Sequence, residues 1–153
     1  TQSGTSRTLP GPTGERNVYT LAPRAHVLCM AHSADDLLLQ TAAVLASGGT
    51  ALWPHAHTGL RAKLPTHVQA QVMLQDNALN DGSVALDAVL HHGDAESLQT
   101  VCATLARRPG PIVGVTALQP GATDIPLERL LMERALSVNT AAAGGNASLM
   151  TIG

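Results

Sequence analysis

The sequence predicts an α/β fold, with a Rossmann-like parallel sheet and helices on both faces. Continuous apolar runs at 26–31 and 112–118 are typical of strands covered on both sides. Segments with helical periodicity separate such runs, and strand–helix–strand alternation indicates a parallel sheet. Apolar residues make up 44% of the 153 residues but aromatic residues only 1%, so the core must be built from aliphatic side chains and alanine. This composition suits close packing of helices on a sheet.

The first strand and the first helix have clear boundaries. After the strand at 26–31, Ser33 is predicted to cap a helix, with Asp36 three positions later, and the helix ends near Ser47 before Gly48. Two inward-facing stripes are predicted from the periodicity: Leu37, Thr41 and Val44, then Leu38, Ala42 and Leu45. Three polar residues are predicted to face solvent: Asp36, Gln40 and Ser47.

The rest of the α/β region is predicted as further strands and one long helix. Strands are predicted at 50–53, 68–74, 86–90 and 112–118, and short helices at 60–64 and 127–134. The long helix covers 94–108, and its first-turn acids and last-turn arginines complement the helix dipole. Its predicted buried stripe consists of Leu98, Val101, Cys102, Leu105 and Ala106.

Three segments are predicted along the chain. Residues 1–17 are rich in Gly, Pro, Ser and Thr and are interpreted as a linker or extended arm, and 18–134 form the α/β domain. Residues 135–153 contain no ionisable side chain and predict two strands joined at Gly144–Gly145. Such a hairpin gains less from burial than its ordering costs, and an uncharged sheet edge invites pairing. We therefore expect this tail to dock on another surface.

Composition and motifs argue against several kinds of site. A net charge of −2 does not indicate binding to nucleic acid or to an acidic membrane. The strand-to-helix turn at 31–36 has no glycine and two acids, so it lacks the dinucleotide fingerprint. Five histidines follow predicted strands and could gather at one sheet edge: His32, His55, His57, His91 and His92. Their spacing is poorer than that of zinc sites, and solvated loop histidines are the preferred interpretation.

Nucleophilic catalysis is also disfavoured by the sequence. Cys29 and Cys102 lie in apolar runs where thiols are inert, and no serine has a nucleophile-elbow motif. The two cysteines show no disulfide pattern, which favours a reducing, cytoplasmic setting. Arg7, Arg16 and Arg24 are interpreted as solvated charges or as contacts to a neighbouring module. We therefore expect no catalytic, cofactor-binding or metal-binding residue in this chain.

Several segments resemble one known family. Residues 133–153 (ERALSVNTAAAGGNASLMTIG) look like the C-terminal motif of the bacterial bifunctional proline utilization A proteins. Residues 9–17 (LPGPTGERN) resemble the end of that family's aldehyde dehydrogenase module, and 19–31 and 91–98 are similar to its C-terminal extension. The resemblance covers nearly the whole chain from Leu9 onward.

The resemblance implies a piece of a larger enzyme. In that family an FAD-dependent module oxidises proline to pyrroline-5-carboxylate, and after hydrolysis an NAD-dependent module oxidises glutamate semialdehyde to glutamate. The appended domain has an aldehyde dehydrogenase superfamily fold and is noncatalytic, covers an internal tunnel and ends in a strand hairpin used as an oligomerisation flap. The resemblance thus implies FAD and NAD in the parent and none in this fragment, and a cytoplasmic homodimer that can associate peripherally with the inner membrane.

The family motif that packs on the dehydrogenase module falls on residues near the C-terminus. They are Ser137, Val138, Asn139, Thr140, Ala143, Gly144, Gly145 and Asn146. The resemblance implies that this fragment contacts the remainder of its parent and binds neither nucleic acid nor the membrane interior. Two alternatives remain open at this point: a stand-alone nucleotide- or metal-binding α/β module, and a homodimerisation module whose tails pair with each other.

Overall fold

The structure, a computed structural model, describes residues 4–11 and 14–139. The chain divides into two compact units. The first unit comprises Pro23–Leu131, and the second comprises the chain on either side of it, described for 4–11, 14–22 and 132–139. The units do not follow the boundaries predicted after residues 17 and 134.

A five-stranded parallel sheet organises the first unit. Its strands are β3 (His26–Ala31), β4 (Thr50–Trp53), β5 (Val72–Leu74), β6 (Ala88–His92) and β7 (Gly114–Leu118). The spatial order is β5-β4-β3-β6-β7, and every neighbouring pair is parallel. The chain starts at β3, moves outward through β4 and β5, and then continues on the other side with β6 and β7. The predicted Rossmann-like parallel fold is confirmed.

Helices cover both faces of this sheet. They are α1 (Ala34–Ser47), α2 (Thr58–Arg61), α3 (Thr66–Gln69) and α4 (Ala95–Arg107), with short 3₁₀ turns at His55–His57 and Leu127–Leu130. Successive strand residues point to opposite faces and therefore belong to two separate cores. Cys29 and Leu90 pack with Leu37 of α1, whereas Leu28 and Val89 pack with Val101 of α4. Each fully buried aliphatic side chain contributes about 1.5–3 kcal/mol to folding.

Local capping determines where the two long helices begin and end. Ser33 Oγ accepts a hydrogen bond from Asp36 N at 3.1 Å, and Gly48 follows α1 in a left-handed conformation with φ of 92°. Asp94 Oδ1 accepts from Ser97 N at 2.8 Å at the start of α4. The predicted extents of both helices and of the strand at 26–31 are confirmed to within one residue.

The predicted polar face of α1 is wrong. Asp36, Gln40 and Ser47 are buried rather than exposed, while Ala42 is exposed. Each of these three side chains forms a hydrogen bond inside the protein, as Ser47 Oγ does when it donates to Val44 O at 2.8 Å, although Gln40 Oε1 has no partner among the described residues. A polar side chain with such partners can be buried without a large penalty, so polarity alone did not predict the orientation.

The buried stripe of α4 is narrower than predicted. Val101 is buried, but Cys102 and Ala106 are exposed. Ile112 is 97% exposed because β7 begins only at Gly114, after a segment containing Pro109 and Pro111. Proline cannot donate to a strand ladder, which delays entry into the sheet.

Three further element predictions differ from the structure. The strand predicted at 68–74 is helix α3 followed by the three-residue β5, and the helix predicted at 60–64 lies at Thr58–Arg61. The strand predicted at 86–90 is β6, two residues later, so it includes His91 and His92. The helix predicted at 127–134 is a single 3₁₀ turn followed by a strand.

The second unit contains a three-stranded sheet. Its strands are β1 (Ser6–Leu9), β2 (Glu15–Pro23) and β8 (Leu131–Asn139), with β2 in the middle. β1 runs antiparallel to β2, with Ser6 opposite Thr20. The segment interpreted as a linker or extended arm therefore contains β1 and the start of β2. β8 includes the first strand of the predicted hairpin, and the rest of that hairpin, 140–153, lies outside the described residues.

Candidate functional site

A cavity of about 510 Å³ lies at the carboxyl edge of the five-stranded sheet. It is lined by residues at or just beyond the ends of β3, β4 and β6 and by α4. The strand order reverses between β3 and β6, which is where open α/β sheets bind their ligands. Four histidines line it: His32, His57, His91 and His92. His55 does not line the cavity. Its Nδ1 lies 2.9 Å from Asp76 Oδ2 at the surface.

His92 ties several elements together. Ala122 O can only accept, so His92 Nε2 donates to it at 2.9 Å, and His92 Nδ1 accepts from Gln40 Nε2 at 2.8 Å. Gln40 Nε2 also donates to Met30 O at 3.0 Å. These bonds join β3, β6, α1 and the segment after β7, and both ring nitrogens are used. His92 is therefore a structural residue and not the solvated loop histidine that the sequence predicts.

His91 lies on the other face of β6 and contacts α4. Its Nε2 is 3.1 Å from Ser97 Oγ, and Ser97 Oγ donates to Asp94 O at 3.1 Å. Burial lowers the pKa of His91, although Asp94 nearby raises it in part. With the Ser97 hydrogen assigned to the carbonyl, His91 Nε2 donates to the hydroxyl, and in this arrangement it is not a base poised to take the serine proton. This pair is not an activated nucleophile.

Gly93 allows this contact between His91 and Ser97. A Cβ atom at Gly93 would lie only 2.7 Å from Ser97 Oγ and closer still to the His91 ring. Any larger residue would therefore push the imidazole and the hydroxyl apart. In the sequence HHGD, the glycine thus leaves room for His91 and the helix cap Asp94 to line the cavity together.

The histidines do not form a metal site in the part of the chain that the structure describes. Within residues 4–11 and 14–139, no group of three or more His, Cys, Asp or Glu side chains could hold a metal ion. His91 and His92 are adjacent in β6 and therefore point to opposite faces of the sheet. The ring of His92 also uses both nitrogens in protein hydrogen bonds.

The turn after β3 does not fit a dinucleotide. Ser33 Oγ already binds Asp36 N, and the Asp36 carboxylate accepts from Gly121 N at 3.1 and 3.2 Å. The hydrogen bonds from Ser33 and Gly121 lower the pKa of Asp36, although burial raises it in part. The Asp36 amide, which lies where nucleotide sites bind phosphate, is thus hydrogen-bonded within the protein. The Asp36 carboxylate places a negative charge beside it. NAD does not fit this turn.

The two cysteines have different environments. Cys29 is buried beneath the cavity, and desolvation raises the pKa of its thiol to about 12. The thiol therefore stays protonated and behaves as a small apolar group. Cys102 is exposed, contrary to the prediction, and does not line this cavity.

Only part of the predicted docking motif lies within the described residues. Ser137, Val138 and Asn139 are exposed in β8, and among the described strands β8 is paired only with β2. The remaining motif residues, Thr140, Ala143, Gly144, Gly145 and Asn146, lie outside the described residues.

Sequence reasoning missed several internal contacts. Arg24, interpreted as a solvated charge or a contact to a neighbouring module, donates to Asp87 O at 3.1 Å and to Arg129 O at 3.0 Å. Gln40 was predicted to face solvent but is buried. Asp36, four residues earlier, and Thr41, the next residue, are buried as well. Their partners lie far along the chain, so no local pattern identified these contacts.

Curated relatives match the chain along almost its whole length. No family model matches it. The bifunctional protein PutA of Salmonella typhimurium is 54% identical over 99% of this chain, and that of Escherichia coli is 53% identical over 99%. The PutA of Rhizobium meliloti is 40% identical over 95% of the chain. In each case the chain spans only 12% of the relative's length. The predicted resemblance is confirmed.

Solved structures share the fold. A mutant PutA from Bradyrhizobium japonicum superposes with a TM-score of 0.56 at 23% identity, covering 77% of this chain and 14% of that one. A betaine aldehyde dehydrogenase from Staphylococcus aureus, solved with NAD⁺, has a TM-score of 0.58 at 12% identity and covers 77% and 26%. The fold is therefore that of aldehyde dehydrogenase domains.

Proposed function

Because this chain is homologous to a segment of the bifunctional PutA proteins, we propose that it is the noncatalytic C-terminal domain of such an enzyme. In this proposal the parent oxidises proline to pyrroline-5-carboxylate with FAD, and oxidises the derived glutamate semialdehyde to glutamate with NAD. The domain covers the tunnel between the two active sites and stabilises the dehydrogenase module. The supporting observation is identity of 54% that extends over 99% of the chain but only 12% of the relative.

A noncatalytic role is consistent with the chemistry at the carboxyl edge. The Cys29 thiol is protonated, and His91 donates to Ser97 rather than accepting its proton. In the turn after β3, Ser33 Oγ occupies the Asp36 amide and the Asp36 carboxylate adds a negative charge, an arrangement that does not suit the pyrophosphate of NAD. An aldehyde dehydrogenase needs a nucleophile and its cofactor loop, and these residues supply neither.

The docking role is proposed for the edge of the three-stranded sheet. Leu136 is 60% exposed and Val138 42% exposed, although both belong to a strand. We infer that β8 and the motif that follows it, including Thr140, Ala143, Gly144, Gly145 and Asn146, pack on the dehydrogenase module or on a second copy. Strand addition of this kind supplies backbone hydrogen bonds and covers apolar side chains. A homodimeric, cytoplasmic parent is part of the same proposal.

The experiment is to delete residues 139–153 in the full-length parent. We expect aldehyde oxidation to fall by roughly 10- to 100-fold, the range that misplaced catalytic geometry costs. Proline oxidation should stay unchanged, and a lag should appear before NADH forms from proline. Steady-state assays of the two half-reactions and a coupled assay measure these effects.

Ile112→Ser provides a matched control. It also removes an exposed apolar side chain, but it lies in the first unit and outside the motif. This variant should keep both activities. Normal aldehyde oxidation together with a lag-free coupled assay in the deletion variant would contradict the proposed role.

The cavity favours a second candidate, a small-molecule-binding α/β module. Its volume of about 510 Å³ and its place at the strand-order reversal are typical of ligand sites. Calorimetric titration with NAD and with zinc separates the candidates, because saturable micromolar binding of either would favour a nucleotide- or metal-binding module. We expect neither to bind.

A further inference from the structure

Within the part of the chain that the structure describes, the cavity at the carboxyl edge is lined by carboxylates but by no side chain with a fixed positive charge. Asp94 and Glu96 line it, and no lysine or arginine among the described residues does. The hydrogen bond from the Ser97 amide lowers the pKa of Asp94. The Asp94 carboxyl group is therefore ionised at neutral pH. An approaching anion meets two carboxylates and no side-chain cation with a fixed charge.

His91 does not offset these carboxylates. Burial lowers its pKa, so the ring is neutral at physiological pH. Its Nδ1 is buried and has no hydrogen-bond partner among the described residues, so a second N–H there would remain unsatisfied. The hydrogen-bond geometry and the burial both keep the ring uncharged.

The α4 wall of the cavity presents acceptors rather than donors. Three hydroxyl groups line it, on Ser97, Thr100 and Thr104. The hydroxyl hydrogens are given to backbone carbonyls: Ser97 to Asp94 O at 3.1 Å, Thr100 to Glu96 O at 3.1 Å, and Thr104 to Thr100 O at 2.9 Å. What these three side chains still offer a ligand is oxygen lone pairs. Together with the carboxylates, this wall suits a ligand rich in N–H donors.

The remaining walls are largely apolar. Met30, Leu79 and Val101 line the cavity. A cavity with apolar walls and a few convergent polar groups holds a ligand that has an apolar body and a polar head. The polar head faces acceptors and negative charge.

We propose that this cavity binds a small organic ammonium compound, with its N–H groups on Asp94, Glu96 and the α4 hydroxyl oxygens and its apolar body over Met30, Leu79 and Val101. A phosphate-bearing nucleotide does not meet this charge pattern. The proposal concerns a site separate from the β8 motif, and it holds whether or not the domain acts as a lid.

The first test locates the ligand in crystals of the full-length parent. Three probes of similar shape differ in charge: 4-bromobenzylamine, 4-bromobenzyl alcohol and 4-bromobenzoate. Anomalous scattering from bromine marks each bound probe directly. We expect a bromine peak in the cavity for the amine and none for the benzoate. An empty cavity with the amine, or a benzoate peak there, overturns the proposal.

The second test measures the charge dependence in solution. Calorimetric titration of the full-length parent with 4-bromobenzylamine is compared with the double variant Asp94→Asn, Glu96→Gln. Asparagine is as good a helix N-cap as aspartate, so α4 should keep its start. The loss of two partly exposed charge contacts should weaken binding by about 2- to 30-fold.

Glu128→Gln serves as the matched control. It removes one exposed carboxylate of the same unit that does not line the cavity, and it should leave the affinity unchanged. Unchanged binding in the double variant, or an equal loss in the Glu128→Gln control, overturns the assignment of the site.

Discussion

The two sheets of this protein differ in how they are covered. Every residue of β6 in the five-stranded sheet is buried, because α1 lies on one face and α4 on the other. In the three-stranded sheet, β8 is exposed at every position from Glu133 to Asn139. The first sheet completes its core with its own helices, whereas the second presents Leu136 and Val138 to solvent. The difference supports the proposal that β8 packs on another surface.

The largest expected effect separates the two sheets directly. Leu90→Ala removes a fully buried side chain of β6 and should reduce the free energy of unfolding by about 2–5 kcal/mol. Val138→Ala in β8 should change it by less than about 0.5 kcal/mol, because that side chain is already exposed. Trp53, the single tryptophan, is buried, so its fluorescence reports denaturant unfolding. Equal losses for the two variants would contradict the comparison.

The next prediction compares a buried hydrogen bond of the first unit with an exposed hydrogen bond of the three-stranded sheet. Trp53 Nε1 donates to Thr41 Oγ1 at 2.9 Å inside the first core, so Thr41→Val should leave a buried donor unsatisfied and cost about 1–3 kcal/mol. Thr20→Val in β2 removes an exposed hydroxyl–hydroxyl contact of 3.3 Å with Ser6 and should have almost no effect. Urea denaturation of both variants measures the difference, and a neutral Thr41→Val would show that the Trp53 bond is dispensable.

The smallest expected effect is a pH dependence of the free energy of unfolding. It arises in the first unit, which contains all seven histidines. Burial lowers the pKa of His91 below its ordinary 6.5. As the pH falls below about 6.5, the unfolded chain binds a proton at His91 before the folded chain does, so the free energy of unfolding decreases. Above about pH 6.5, the contribution of neutral His91 to the free energy of unfolding is fully present.

His91→Gln should flatten the pH dependence, since it removes the titrating group. His55→Gln is the control, because His55 is exposed and pairs with Asp76 at the surface. Unfolding free energies measured between pH 5 and 7.5 check both variants. A slope that survives His91→Gln would assign the dependence to another group.

The sequence predicted those elements whose signals are local. Ser33 caps α1 by bonding Asp36 N, and Gly48 ends it, so four or five neighbouring residues determine each boundary. The apolar run at 26–31 predicted β3 because a doubly covered strand needs no alternation. The prediction that histidines gather at one sheet edge holds for His32, His57, His91 and His92, since the carboxyl ends of parallel strands share an edge. His91 and His92 lie inside β6, however, and do not follow it.

Several predictions failed because the partner of a residue lies in another element, although Ser47 bonds Val44 within α1. Asp36 is buried because it accepts from Gly121, and Gln40 because it donates to Met30 and His92. The composition of residues 1–17 suggested a linker or extended arm, and it carried no sign that β1 pairs with β2 in a sheet. Backbone hydrogen bonds between strands depend on which segments meet, and side-chain composition carries little information about that.

The sequence by itself determined the alternation of strands and helices, the caps of α1 and α4 and the absence of charge in the tail. It could do so because each of these depends on residues within one or two turns. Only the tertiary structure decided that His91 and His92 face opposite cores, that Asp94, Glu96 and the α4 hydroxyls line one cavity, and that β8 joins β2. Those arrangements arise when distant segments pack together, and their free energy is that of contacts between residues that no local pattern connects.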